Sequence, residues 1–435
     1  MAIIVEKPAQ IPIFVLTWFL IVKERWSFLP IGRTAGALFM GICTVVAQTL
    51  GTEEAFLAIE YDTLALLWGM MVLVEYLKDD ALFDLFVDKF FISNKSLTPV
   101  RLIWLLSLSC GSMAALFTND TMCIALTKTI CYVCTQREYH PGPFMVAIAM
   151  SANIGSAATL IGNPQNAIIA ALSGVSFSVF LAYSAAAMIV CMIVNTFALT
   201  VWYANDLRED TPFAAAAKEK MLESGTYGAI GGIGLEEMQP LVAGENDDGK
   251  ELFEQGGNTT EGNTICCFFG PYSSDTNAKS FRCVLVMVIL VTLAAFLANL
   301  SIGWTASAGG VSAMFLDAMF NHKTPDRIFA RVNWELLVFF SGLFIVIEGL
   351  QHTMLPGQLL DLIDDDMRVD NIGGICAFTA IITIGCNIFN NVPLVLLVGL
   401  ALSYDETDGI EKPFMDSIGN ADLAWILLAW APLPT

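Results

Sequence analysis

Amides, hydroxyls and glycines gather at three places in this chain where the neighbours are almost wholly apolar. Segment 151–170 reads SANIGSAATLIGNPQNAIIA and holds Asn153, Gly155, Thr159, Gly162, Asn163, Pro164 and Asn166. Segment 118–121 is Thr118, Asn119, Asp120 and Thr121, and Asn387, Asn390 and Asn391 stand in NIFNNVP. Side-chain amides offer donors and acceptors without charge. Glycines let a backbone approach a ligand, and Pro164 removes an N–H and keeps a helix from re-forming. Asp120 is the one carboxylate among these residues. An ionisable group at membrane depth is a functional candidate, able to take and release a proton or hold a cation. Thr118, Asn119, Asp120 and Thr121 also suit the start of a helix, where their oxygens cap backbone N–H groups.

Such residues need a scaffold that keeps them out of lipid. The chain is 56% hydrophobic and only 14% charged over 435 residues, with a mean hydropathy of +0.64. Soluble domains carry about 25% charged residues. Apolar runs such as FLAYSAAAMIVCMIVNTFALTVW and RCVLVMVILVTLAAFLANL have the roughly 20-residue length of a spanning helix. The expected class is an all-α, multi-pass integral membrane protein. The N-terminal run has no small-residue cleavage site after it, and is expected to be a short first membrane helix. No basic cluster is dense enough for nucleic acid. Cys131 and Cys134 have CxxC spacing without a second ligand pair, which suits two small apolar residues one turn apart and no metal. His140, His322 and His352 fall between apolar runs and receive no role.

The net charge of −21 sits largely in loops. Residues 204–280 lack a 20-residue apolar run, are acidic and Gly-rich, and are expected to be a disordered cytosolic loop between two membrane halves, 1–203 and 281–435. The bias of Lys and Arg puts loops 23–33, 78–101 and 321–332 on the cytosolic side and the N-terminus and 353–370 outside. That threading closes only if 102–134 and 373–402 enter the membrane and return as re-entrant hairpins, with polar tips at 118–121 and 390–393. Re-entrant backbone is tolerated where protein or a water-filled cavity covers it. The run 143–170 is expected to be a broken helix, since unpaired backbone groups in lipid are costly unless a solute or ion supplies the partners.

The halves also repeat. DTLALLWGMMVLVEYL (62–77) aligns without gaps on ELLVFFSGLFIVIEGL (335–350), with Gly69 on Gly342 and Glu75 on Glu348, and LFTND aligns on IFNNV. In the threading above the copies run in opposite directions. Inverted repeats with broken elements near the midplane mark secondary transporters; neither an enzyme nor a simple channel needs this symmetry. Glu75 and Glu348 read as interfacial carboxylates, with a second proton path as the alternative, and Lys128 as a snorkelling side chain.

ALFTND followed by SANIGSAATLIGNPQN resembles the signature of the arsenite-permease/sodium–proton antiporter (ion transporter) superfamily, and within it the plant-type silicon efflux transporters. The order continues through NWELLVFFSGLFIVIEGL and NNVPLVLLVG, so the resemblance covers most of the chain. It implies a scaffold domain and a moving transport domain, elevator-type motion, and efflux driven by an inward proton gradient. In that picture 118–121 and 153–166 form one clamp and 387–393 begins a second. No basic residue occurs in these segments, so a neutral polyhydroxy acid such as silicic or arsenious acid is the expected solute, with a proton, or alternatively sodium, as coupling ion and no other cofactor. The expected setting is the plasma membrane, with the lipid bilayer as partner and a homodimer as an open expectation. A sodium–proton antiporter or a sodium-coupled carboxylate carrier on the same fold is the first alternative. The second is a truncated, transport-inactive membrane protein, because the counterpart of 153–166 in the second half is missing before the chain stops at APLPT.

Overall fold

A computed structural model describes residues 7–22, 31–79, 88–92, 98–137, 139–208, 276–356, 358, 367–403 and 420–430. Among them the secondary structure is helical. The first half holds α1 (Gln10–Val22), α2 (Arg33–Val46), α3 (Thr52–Leu57), α4 (Tyr61–Asp79), α5 (Pro99–Phe117), α6 (Asn119–Gln136), α7 (Gly142–Ser156), α8 (Pro164–Ser173) and α9 (Phe177–Trp202). The second holds α10 (Thr276–Leu297), α11 (Ile302–Asn321), α12 (Asp326–Phe329), α13 (Trp334–Gln351), α14 (Ile372–Phe389), α15 (Asn391–Ser403) and α16 (Ala421–Trp430). The acidic segment 209–275, the cations Lys23, Arg25 and Lys95, and the final residues 431–435 lie outside the described residues. The described part of the second half begins with α10 at Thr276.

Among the described residues, six helical stretches are long and apolar enough to cross a membrane: Thr52–Asp79, Pro99–Phe117, Phe177–Trp202, Ser280–Leu297, Trp334–Gln351 and Ile372–Phe389. The expected first membrane helix, α1, is a shorter apolar helix of 13 residues. Local chemistry sets several starts. Thr98 accepts from Arg101 N and precedes Pro99 in the first turn of α5. Asn333 and Asn371 cap α13 and α14 by accepting from Leu336 N and Gly374 N. One side of α9 is exposed and apolar, with Ile189, Val190, Ile193, Val194, Phe197 and Val201 on it. A contiguous apolar face of that length suits contact with lipid.

Two helix pairs pack backbone to backbone. Gly69 of α4 lies against Ala306 and Ser307 of α11, and Gly310 of α11 lies against Gly69 O in return. Gly342 of α13 lies against Ala37 and Leu38 of α2, and Gly41 of α2 lies against Gly342 O. A Cβ added to Gly342 would stand 2.7 Å from Ala37 C, so that position must stay small. Close approach through small residues is how helices associate where no hydrophobic drive separates helix from lipid.

The buried apolar residues fall into separate cores. The largest joins α4, α8, the first turns of α9, and α10 to α16, through residues such as Leu66, Ile168, Phe180, Phe340 and Trp425. A second joins α5, α6, α7 and the last turns of α9, through Leu106, Leu126, Phe144, Ala147 and Leu199. Thus α7 and α8 belong to different cores, and the chain passes between them at residues 157–163.

Candidate functional site

The first polar tip is a single-residue break. Helix α5 ends at Phe117, Thr118 takes φ 86° and ψ 144°, and α6 starts at once with Asn119. Asn119, Asp120 and Thr121 therefore occupy the first turn of α6, the helix start that their residue types suited. Thr118 Oγ1 donates to Thr121 Oγ1 at 3.0 Å. The side chain of Thr118 makes no capping bond. Asp120 lies at the surface of this turn, with Arg33 of α2 within electrostatic reach.

The second polar segment breaks more narrowly than the sequence suggested. Helix α7 continues through Asn153 and Gly155 to Ser156, and α8 begins at Pro164, leaving 157–163 between them. The start of α8 follows from its residues. Asn163 caps it, its Oδ1 accepting from Asn166 N at 2.8 Å, and Pro164 in the first turn forgoes an N–H that no helical acceptor would have used. The end follows from Gly174, whose φ of 62° suits a residue without Cβ.

Tip and break are stitched together. Asn119 N donates to Gly162 O at 3.1 Å, and Asn119 Nδ2 donates to Asn153 Oδ1 at 3.0 Å. Thr159 Oγ1 donates to Ala115 O. Gly155 packs directly on the backbone of Gly111, and Gly162 on the backbone of Ser156. Within the break, Asn166 Nδ2 donates to Ser156 O (3.3 Å) and Thr159 O (2.8 Å), and Asn163 Nδ2 donates to Ser156 Oγ (3.2 Å). Ser156 Oγ in turn donates to Asn153 O at 2.8 Å.

Thr159, Asn163 and Asn166 are thus buried and spent largely on holding the break. Ser156, which sequence reasoning passed over, is its hub. Its signal was its place one turn after Ala152 on the buried side of α7, where a hydroxyl needs a partner. Two buried acceptors in the assembly remain without a hydrogen bond, Asn119 Oδ1 and Asn166 Oδ1. Buried polar atoms are nearly always partnered, so these two oxygens are hydrogen-bonding capacity that the assembly leaves unused.

The third segment is separate. Helix α14 ends at Phe389, Asn390 takes φ 73° and ψ 154°, and α15 starts at Asn391. Asn387 Nδ2 donates back to Thr383 O (2.8 Å), and Asn390 Oδ1 accepts from Asn391 N (2.7 Å). Asn387 and Asn390 are exposed. No hydrogen bond joins this tip to Asn119 or Asn153 among the described residues. Its helix α15 reaches the far limb of the break, Gly399 lying near Leu172 of α8. Cys131 contacts Met145 Sδ at 3.8 Å and Cys134 is buried, both as free thiols.

Apolar helices of spanning length with a hydrogen-bonded break between two of them make this an integral membrane protein, and its family makes it a transporter. The family model described as "Citrate transporter", CitMHS, matches residues 17–431, and the chain belongs to this family, within the arsenite-permease/ion transporter superfamily. It is 31% identical over 426 residues to the silicon efflux transporter LSI3 of Oryza sativa subsp. japonica, covering 96% of this chain and 84% of that protein. It is 25% identical over 482 residues to a transporter named arsB of Dictyostelium discoideum, covering 96% and 82%. With a 46 kDa membrane protein of Mycobacterium leprae it shares 24% identity over 394 residues, covering 88% and 78%.

Proposed function

We propose that this protein exports a small neutral hydroxy acid of the silicic or arsenious type across the plasma membrane, in exchange for protons and by an elevator-type movement. The observation that carries the reading is the pair of buried, unpartnered amide oxygens, Asn119 Oδ1 and Asn166 Oδ1, beside the half-buried Asn153. Uncharged acceptors suit a solute rich in O–H donors, whereas a multiply charged anion is ordinarily met by Arg, Lys or a bound cation. The likeness to LSI3 and arsB supports the same solute class. Asp120 is the proposed proton carrier, and the two single-residue breaks are the proposed tips of re-entrant hairpins.

An inverted repeat is part of this reading. Gly69 and Gly342, matched in sequence, each pack on an Ala backbone of a partner helix, and Gly310 and Gly41 each return the contact to the carbonyl of the matched glycine. Thr118 and Asn390, also matched, share positive φ and extended ψ. Such paired geometry supports two copies of one unit.

A second reading, a carboxylate carrier, is favoured by the family description and by Arg33, whose charge reaches the first tip. Reconstituted vesicles separate the two. We expect uptake of silicic acid or arsenite that follows an imposed pH gradient and ignores sodium, with Asp120→Asn abolishing the pH dependence while the protein stays folded. Sodium-stimulated citrate flux without arsenite or silicic acid flux would overturn the first reading in favour of the second.

A further inference from the structure

Away from the break, a groove of about 640 Å³ opens between α4, α11 and the α12–α13 segment, walled by Tyr61, Asp62, Trp68, Trp304, Phe329 and Trp334. Three of its rings stand in a row. Trp68 and Phe329 have centroids 6.4 Å apart, and Phe329 and Trp334 6.3 Å apart, both stacked. Trp334 is held in place by donating from Nε1 to Phe329 O at 2.9 Å. Gly303 lies against the backbone of Asp62, so Asp62 and Trp304 share one end of the groove, at the starts of α4 and α11.

The polar groups of this groove are unequal. The hydroxyl of Ser307 is used, donating to Ala65 O at 2.9 Å. Asp62 is the one charged residue of the lining. Among the described residues, the Asp62 carboxylate and the indole N–H groups of Trp68 and Trp304 have no partner within the protein.

That combination selects an occupant. Cations are drawn to the faces of Trp and Tyr, and Asp62 adds a full negative charge with no basic residue in the lining to cancel it. Indole N–H groups donate to oxygen and accept nothing. The stacked row offers hydrocarbon a flat apolar floor. Pockets of about 300–1,000 Å³ enclose ligands of drug size, and Trp and Tyr near helix ends belong at headgroup level. We propose that the groove is a phospholipid site selective for a quaternary ammonium headgroup, that of phosphatidylcholine. The choline sits at Asp62 and Trp304, a phosphate or ester oxygen takes an indole N–H, and one acyl chain lies over Trp68, Phe329 and Trp334.

Native mass spectrometry of the full chain, delipidated and then titrated with phosphatidylcholine or phosphatidylglycerol, tests the site. The expected result is one retained phosphatidylcholine in clear preference to phosphatidylglycerol. Asp62→Asn and Trp304→Leu should each weaken its retention about 5- to 30-fold and leave weak phosphatidylglycerol retention unchanged. Trp304 is 74% exposed, so its replacement leaves the core intact and reads the site even if Asp62→Asn misfolds. Equal retention of both lipids by the unaltered protein, or an unchanged preference in Trp304→Leu, overturns the proposal. So does a shift from dimer to monomer in Trp304→Leu with phosphatidylcholine still bound, which assigns the groove to a second copy of the chain.

Discussion

Replacing Asn166 with alanine separates holding the break from holding the solute. Asn166 is fully buried, and its Nδ2 donates to Ser156 O at 3.3 Å and to Thr159 O at 2.8 Å. Alanine removes both donors and leaves two carbonyls with no replacement inside the break. A buried polar group left unpaired costs about 1–3 kcal/mol, and the longer of the two bonds contributes less, so we expect a loss of about 2–4 kcal/mol. The backbone N–H of residue 166 survives the change, so the Asn163 cap on α8 is kept and the damage stays within 157–163. Asn153→Ala differs. It removes one bond to the half-buried Asn119, for about 0.5–1.5 kcal/mol, while lowering affinity for a polar solute roughly 5- to 150-fold if Asn153 meets it. Thermal unfolding in detergent, read by tryptophan fluorescence, together with labelled-arsenite binding to the folded fraction, measures both quantities. An Asn166→Ala protein that melts like the unaltered one yet binds no solute would refute the structural role given to those two bonds.

Three further substitutions test the geometry. Gly155→Ala drives a Cβ into the Gly111 backbone, which cannot step aside as a side chain would, so stability should fall by at least about 1–3 kcal/mol with flux falling alongside; an unchanged melting curve contradicts the packing of α7 on α5. Thr118→Gly relieves a β-branched residue at φ 86°, so stability should hold or rise by about 0.5–1 kcal/mol despite the lost hydroxyl bond, and a clear fall in melting temperature counts against strain there. Arg327 pairs with Asp79 and with Asp317, whose side chain is 1% exposed. Arg327→Leu strands that carboxylate and should cost about 3–5 kcal/mol, largely recovered by adding Asp317→Leu; no recovery in the double variant would show that the charge is not the cause.

Much of this architecture could be read before any coordinates. Apolar run length located the spanning helices, because a helix in lipid must satisfy its backbone internally and so announces itself by composition. Pro164, read from the sequence as keeping a helix from re-forming, is instead the first residue of α8, because at that position its missing N–H costs nothing and its fixed φ suits the helix. The alignment of Gly69 on Gly342 matched two positions without saying what they do, because their backbone-close contacts with α11 and α2 depend on partners far along the chain. The division of labour among the asparagines was hidden for the same reason. Asn153, Asn163 and Asn166 look alike as residue types. Whether an amide faces a solute or a neighbouring carbonyl is settled by how the chain folds back between 156 and 163. Ser156 was missed because its one signal, a place on the buried side of α7, says that its hydroxyl needs a partner but not which partner the chain brings to it. The ionic cluster of Asp79, Asp317, Arg327 and Arg331 was invisible because its members lie on α4, α11, α12 and the turn after α12.

The position of the break explains why uncharged, hydrogen-bonding residues gather there. Had α7 run unbroken into α8, one rigid rod would have fixed the core containing Ala147 and Ile148 to the core containing Ile168 and Ile169. Instead the link at 157–163 places Leu160 and Ile161 in the core of Ile168 and joins the other body through hydrogen bonds, Asn119 to Gly162, Asn119 to Asn153 and Thr159 to Ala115. At about 0.5–1.5 kcal/mol per bond, rearranging these three contacts costs about 1.5–4.5 kcal/mol, within what a bound solute can supply by offering replacement partners. Separating interdigitated apolar side chains instead loses many close contacts at once. A solute held by Asn119 and Asn166 would therefore touch both bodies and exchange bonds with the groups that hold them together. Within the proposed transport cycle, occupancy and movement are then coupled at the same few atoms, and the site has to be made of amides and hydroxyls because only such groups can trade partners at so small a cost.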